Sequence, residues 1–121
     1  MLLTLQDFSV KQIADSGQCF RINQISDKSW HVASNNKEMI LIELGNNKYE
    51  FKCSQQEFET IWCDYFDLRT DYNYFKQIIL ENNDPYIVSA MYYGAGLRIL
   101  KQDLFESIIS FIISQNNNIA R

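Results

Sequence analysis

The sequence predicts an α+β domain, a twisted antiparallel sheet with helices packed on it, and three observations lead there. Residues 1–53 break into short alternating segments separated by Asp, Asn and Gly turn signals. From Ser54 onward the apolar spacing changes from period two to the helical i, i+3, i+4 pattern. No Pro- or Ser-rich linker, repeat or low-complexity stretch separates the two halves, so strands come first and helices then cover them.

Taken in order, Leu3 to Leu5 predicts a short first strand and Val10 to Asp15 a helical turn, which Ser16-Gly17 breaks. Phe20 to Ile25 alternates, and Asp27-Lys28 supplies turn chemistry. In the next strand Trp30, Val32 and Ser34 share one face, with His31 and Ala33 on the other. His31 reads as a half-exposed strand residue rather than a catalyst. Asn35-Asn36 turns the chain into Met39 to Leu44, apolar on both faces except at Glu43 and therefore a central strand. Gly45-Asn46-Asn47 turns again into Tyr49 to Cys53, with Tyr49, Phe51 and Cys53 facing inward. The expected result is an antiparallel meander of four or five strands.

Ser54 and Glu57 have the spacing of a capping box, and Phe58, Ile61, Trp62, Tyr65 and Phe66 follow on one helical face. A second helix is expected from about Asp71 to Glu81, burying Tyr72, Phe75, Ile78 and Ile79, and ended by Asn82-Asn83. Asp84-Pro85 restarts a short helix through Met91, with proline at its first position. Gly94-Ala95-Gly96 turns the chain toward the last helix, which Asp103 caps with Glu106 three residues on. Leu104, Phe105, Ile108, Ile109, Phe111, Ile112 and Ile113 cover nearly its whole circumference, so this helix is expected to be central and buried on most sides. It runs into Asn116-Asn117-Asn118 and then Arg121. Two readings of the asparagines stay open. They cap or interrupt the helix, as short amides do, or they carry hydrogen-bonding groups out of a rigid element in fixed positions.

Composition narrows the function classes. At 121 residues, 46% of them apolar, the chain reads as one globular unit with a modest core. No apolar run approaches the ~20 residues of a membrane span, and the N-terminus lacks the pattern of a signal peptide. Cys19, Cys53 and Cys63 form no CxxC pair and His31 is the single histidine, so neither a zinc site nor any cofactor is expected. Reduced thiols in a cytoplasmic setting are the default. The net charge of −4 argues against a self-sufficient DNA-binding surface. It is unevenly spread: residues from Gly94 onward carry a net +1, and the first 93 carry −5. Any nucleic-acid contact is expected at the C-terminal end.

Three separated motifs add a resemblance. Ser16-Gly17-Gln18-Cys19-Phe20-Arg21, then Tyr65-Phe66-Asp67-Leu68 with Asp71-Tyr72, then the run from Leu97 to Arg121 ending in NNNIAR resemble the 8-oxoguanine DNA glycosylase/AP lyases, in the same order. The resemblance covers almost the whole chain. Ile22 departs from it, since the family usually has tryptophan after this run. It implies a TATA-binding-protein-like fold for residues 1–98. Residues 99–121 would be the first helix and Asn loop of a helix-hairpin-helix domain.

The resemblance also implies a function: excision of 8-oxoguanine from duplex DNA, with the damaged nucleotide turned out of the stack. Gly17 corresponds to the position whose carbonyl accepts the N7 proton that 8-oxoguanine has and guanine lacks. Its other reading is a turn glycine. Asn116 would fill the vacated gap, Asn117 would support the loop and contact the opposite side, and Arg121 would donate to the orphaned cytosine. Gln18, Cys19 and Phe20 read as supports of the loop. The family's lysine nucleophile and its aspartate lie beyond the NNNIAR run, so no catalytic residue is carried onto this chain and it is expected to be inactive alone. It reads as part of a longer intracellular, nucleoid-associated enzyme, whose partner is duplex DNA with 8-oxoguanine opposite cytosine. An exposed apolar last helix would drive the piece to self-associate. The rival readings are a binding module without chemistry, and a purely structural piece in which Gly17 and Asn116 affect stability alone.

Overall fold

The structure is a computed structural model, and it describes residues 1–115 and 117. Five strands, β1 (Leu2–Thr4), β2 (Ile22–Ser26), β3 (Ser29–Ser34), β4 (Lys37–Gly45) and β5 (Lys48–Phe51), form one sheet in the order β1-β5-β4-β3-β2. Every pairing is antiparallel. β2 to β5 are the expected meander, and β4 is its central strand. β1 begins one residue earlier than its pattern predicts and closes the free edge of β5, with Leu3 opposite Tyr49. β2 begins at Ile22 because Phe20 belongs to the preceding loop and is exposed.

Asparagine makes the tight turns. Asn35, Asn46 and Asn47 have φ of 52°, 52° and 59°, in the left-handed region that this side chain tolerates better than most. The β4–β5 hairpin is therefore a two-residue Asn-Asn turn, which matches the twist of its strands.

One sheet face is covered by α1 (Val10–Asp15) and by a continuous helical stretch. That stretch comprises α2 (Gln55–Glu57), a π-helical segment (Phe58–Trp62) and α3 (Cys63–Tyr65). Ser54 caps it by accepting from the Glu57 amide at 3.2 Å. The reciprocal half of the capping box is replaced: Glu57 Oε1 accepts instead from the indole of Trp62 at 3.2 Å. The π-helical segment lies within the apolar face that periodicity picks out. Phe58, Trp62, Tyr65 and Phe66 are all buried. They meet Trp30, Val32, Met39, Leu41, Tyr49 and Phe51 from the sheet. Aromatic rings dominate the contact, edge to face: Phe51–Phe58 at 5.1 Å, Phe51–Phe66 at 6.0 Å and Phe8–Phe66 at 5.4 Å.

Two expectations of burial are corrected. In α4 (Tyr72–Asn82) Tyr72 and Ile79 are half-buried and Phe75 and Ile78 are exposed. In α6 (Leu104–Ser114) no residue is buried, and Leu104 and Phe105 are 74% and 72% exposed. The reason is area. The buried face of the sheet is already filled by α1 and the 55–66 stretch, so α4 packs against another exposed helix instead of the sheet. α5 (Pro85–Tyr93), capped by Asp84 with Pro85 at its start, likewise buries nothing.

A polar cluster ties the later chain to this core. Arg98 is buried, and its guanidinium donates to the carbonyls of Asp7 (3.0 Å), Asp67 (2.8 Å), Thr70 (3.2 Å) and Gln6 (3.2 Å). Its plane lies 4.4 Å from the centre of the Tyr72 ring. Asp67, buried beside it, accepts from Thr70 Oγ1 (2.8 Å), Tyr72 OH (3.0 Å) and Lys101 Nζ (2.8 Å). Burial by itself would raise the Asp67 carboxyl, but the hydrogen bonds from Lys101, Thr70 and Tyr72 outweigh it and hold it below its usual 3.8.

Asp67 therefore contributes stability that is complete above the pKa of the unfolded chain and is lost as pH falls through the lower folded value. Asp67→Asn removes the charge while keeping a residue that accepts the φ of 51° at this position. It is expected to cost about 1–3 kcal/mol near neutral pH. Urea denaturation should show wild type and variant converging as the pH is lowered toward about 2.

Candidate nucleic-acid interface

The loop from Ser16 to Arg21 is built by the end of α1. Ser16 Oγ donates to the Ile13 carbonyl at 2.6 Å, and Gly17 follows with φ of +76°. A Cβ at Gly17 would meet nothing within 4 Å, so glycine is required there by backbone conformation and not by space. Among the described residues its carbonyl accepts no hydrogen bond, and the residue is exposed.

Gln18 anchors the loop. Its Nε2 donates to the Arg98 carbonyl at 2.8 Å, and its Oε1 accepts from the Leu100 amide at 2.9 Å. Tyr65 OH lies 3.7 Å from Cys19 Sγ, and burial pushes the Tyr65 phenol far above its usual range. Arg21 pairs with Glu106 in the first turn of α6 and donates to the Asn35 carbonyl at 3.2 Å. The loop, the β3–β4 turn and the start of α6 are thus fastened together. Gln18 and Cys19 serve the supporting role expected of them. Phe20 is half-exposed and stands on the wall of a groove.

That groove, about 230 Å3, is lined by Gly17, Gln18, Phe20, Gln102, Ser107 and Phe111 among others. It places the predicted base-reading glycine against α6, whose C-terminal end leads to the asparagines. Asn117 is exposed, and its Nδ2 donates to the Ile113 carbonyl at 2.6 Å and its backbone amide to the Ser114 carbonyl at 3.3 Å. Both are bonds of a helix cap. Asn116 and Arg121 lie outside the described residues. A second hollow of about 340 Å3 between α4 and α5 is lined by Tyr72, Phe75, Ile79, Ile87, Met91 and Leu97 with others, and its rim pair Asp7–Lys76 is self-satisfied. It offers a ligand little beyond apolar contact. His31 is half-buried in β3, its Nε2 3.0 Å from Glu38 Oε2. Among the described residues no cluster of His, Cys, Asp or Glu could hold a metal ion, and no helix is long and apolar enough to cross a membrane.

Residues 1–108 match the family 8-oxoguanine DNA glycosylase, N-terminal domain. The chain belongs to the 8-oxoguanine DNA glycosylase family. Solved structures agree. MBOgg1 in complex with a low-affinity DNA ligand is 36% identical with a TM-score of 0.89, over 98% of this chain and 41% of that one. The Clostridium acetobutylicum 8-oxoguanine glycosylase/lyase in its apo form is 34% identical with a TM-score of 0.86, over 97% and 40%. The same enzyme with double-stranded DNA containing cytosine opposite 8-oxoguanine is 35% identical with a TM-score of 0.84, over 95% and 39%. The chain spans about two-fifths of the length of these structures. No curated protein matches it. The glycosylase domain's sheet and covering helices are the TATA-binding-protein-like arrangement.

Sequence reasoning missed how the glycosylase domain holds its loop. Gln102 and Glu106 bond back to the loop, at the Gln18 carbonyl and at Arg21, and Arg98 is buried. Their signal is faint: polar residues just before an otherwise apolar helix, where a cap alone was expected.

The two positive-φ glycines near this loop should separate on substitution. Gly17→Ala meets backbone strain alone, about 1–2 kcal/mol. At Gly96, φ +84°, a Cβ would lie 2.7 Å from Ser9 Cβ and 2.8 Å from Ser9 N. Gly96→Ala is expected to destabilise the domain clearly more than Gly17→Ala, read as the shift in chemical denaturation midpoint.

Proposed function

We propose that this chain is the N-terminal part of an enzyme that excises 8-oxoguanine from duplex DNA and, in the same protein, cleaves the abasic strand. The observation that carries the reading is Gly17: a left-handed turn whose carbonyl accepts no hydrogen bond among the described residues, on a groove shared with α6. In this reading the carbonyl accepts the N7 proton of 8-oxoguanine. Guanine has a lone pair there, so two acceptors would face each other and the base is refused.

Residues 99–121 open a second, helical domain. Asn116 enters the gap left by the extruded nucleotide, Asn117 supports the loop and contacts the opposite side, and Arg121 donates to the cytosine. An amide can donate and accept at once, and a planar guanidinium can serve the O2 and N3 of cytosine together. The capping bonds of Asn117 support its loop-holding role over base contact. The nucleophile, a lysine amine attacking the sugar C1′, is supplied by sequence outside these 121 residues.

With a net charge of −4, the 121-residue chain alone is expected to bind duplex weakly, and what affinity it has should fall steeply with salt. Its exposed α6 is expected to drive concentration-dependent self-association, readable by sedimentation. The decisive experiment uses a protein containing this chain and the remainder of its reading frame. It is incubated with duplex carrying 8-oxoguanine opposite cytosine, borohydride is added, and a covalent adduct is sought. An adduct with the longer protein and none with the 121 residues is the expected result. No adduct from either would return the chain to a binding or structural role.

A further inference from the structure

We propose that Gln18 is a positioning residue for base discrimination, holding rigid the peptide whose carbonyl reads the base. This rests on the reading of Gly17 as the acceptor for 8-oxoguanine. The difficulty it resolves is physical. Glycine lets a base approach the backbone closely, but it is also the residue whose flanking peptides rotate most freely. A carbonyl that must tell N–H from a lone pair needs a fixed direction, because a hydrogen bond weakens steeply as it bends.

Gln18 supplies that constraint from the other side of the same peptide. The Gly17–Gln18 bond is trans, so its N–H and C=O point in opposite directions. The Gln18 N–H faces Ser16 Oγ at 3.4 Å, which turns the Gly17 carbonyl away from Ser16. The Gln18 side chain donates to the same Ser16 Oγ (3.1 Å) and to the Arg98 carbonyl (2.8 Å), and it accepts from the Leu100 amide (2.9 Å). The next carbonyl along, that of Gln18, accepts from Gln102 Nε2 at 2.5 Å. One side of the reading peptide is thus held by Ser16, and its Gln18 side is tied to residues 98–102. That segment is itself held by the buried Arg98 and leads directly into α6. The acceptor and the helix opposite it are placed by one piece of chain.

Losing the Gln18 amide should blunt attraction and refusal together. Gln18→Met keeps an unbranched side chain of similar length without donors or acceptor. In a protein containing this chain and the remainder of its reading frame, single-turnover excision would be followed on labelled duplex with 8-oxoguanine opposite cytosine. Unlabelled duplex with guanine in that place would be the competitor. Gln18→Met is expected to slow excision by roughly tenfold or more, toward about a hundredfold for a displacement near 1 Å. The guanine duplex should compete relatively better than against wild type. Lys101→Ala is the control: it breaks the pair with Asp67 on the same segment and should lower the melting temperature without changing the competition ratio. Should Gln18→Met fail to fold, Gln102→Met, which removes the bond from Gln102 Nε2 to the Gln18 carbonyl, makes the same test.

If Gln18→Met melts lower but keeps the wild-type competition ratio within about twofold, Gln18 is merely structural and the proposal is overturned. If wild type itself does not distinguish the two duplexes, the reading of Gly17 fails instead.

Discussion

Much of this domain depends on one buried cation whose donors go to backbone carbonyls and not to the carboxylate of its buried neighbour, Asp67. Taking a guanidinium out of water is expensive unless its donors are met. Arg98 meets them with four backbone carbonyls and rests its face on Tyr72. Those carbonyls belong to Gln6 and Asp7 near the N-terminus and to Asp67 and Thr70 before α4. One side chain therefore holds two remote segments to its own at once. A lysine could not do so, since a single ammonium cannot fork across carbonyls on both sides. The carboxylate that balances the region, Asp67, points elsewhere: to Thr70, Tyr72 and the exposed Lys101. Charge is compensated across a network rather than in a pair.

The consequence reaches the candidate site because Arg98 does not act alone. Leu100, two residues on, is buried in the aromatic core, and the Lys101 amide donates to the Tyr65 carbonyl at 2.9 Å. The short stretch between α5 and α6 lacks regular secondary structure of its own, yet it is among the best-anchored parts of the later chain. The loop carrying Gly17 leans on it through Gln18, and α6 starts from it. A loop can hold a fixed acceptor when its rigidity is borrowed from a segment locked by buried hydrogen bonds.

This explains which parts were legible in the sequence. The meander was readable because Trp30, Val32, Tyr49 and Phe51 alternate and asparagines mark the turns; period two and turn chemistry are local signals. Ser54, Asp71, Asp84 and Asp103 announced helix starts for the same reason, and each side chain accepts from an amide in the first turn. Burial of whole helices was not readable. Phe75 and Ile78 have helical spacing, but spacing does not say whether any partner surface remains to cover them. The anchoring of Gln18 was illegible too, since its partners at Arg98 and Leu100 lie 80 and 82 positions away and are backbone atoms, which carry no sequence signature. The motif residues themselves were found by resemblance. Local chemistry leaves Gly17 equally suited to an ordinary turn.

The last helix shows why an apolar circumference can mislead. Toward the sheet domain α6 turns Ser107, Ser110 and Ser114, all half-buried, together with Glu106, which pairs with Arg21. Leu104, Phe105, Ile108, Ile112 and Ile113 face away and are exposed. Relative to this domain the helix is inside out. Burying any one of those side chains would be worth about 1.5–3 kcal/mol, so the observed orientation forgoes a large gain within these 121 residues. A helix packs this way when its core belongs to another layer. The polar stripe then has a clear use: it lets α6 lie against the Gly17 loop without sealing the groove between them. Small hydroxyl-bearing side chains keep that groove open, where leucines in the same positions would close it.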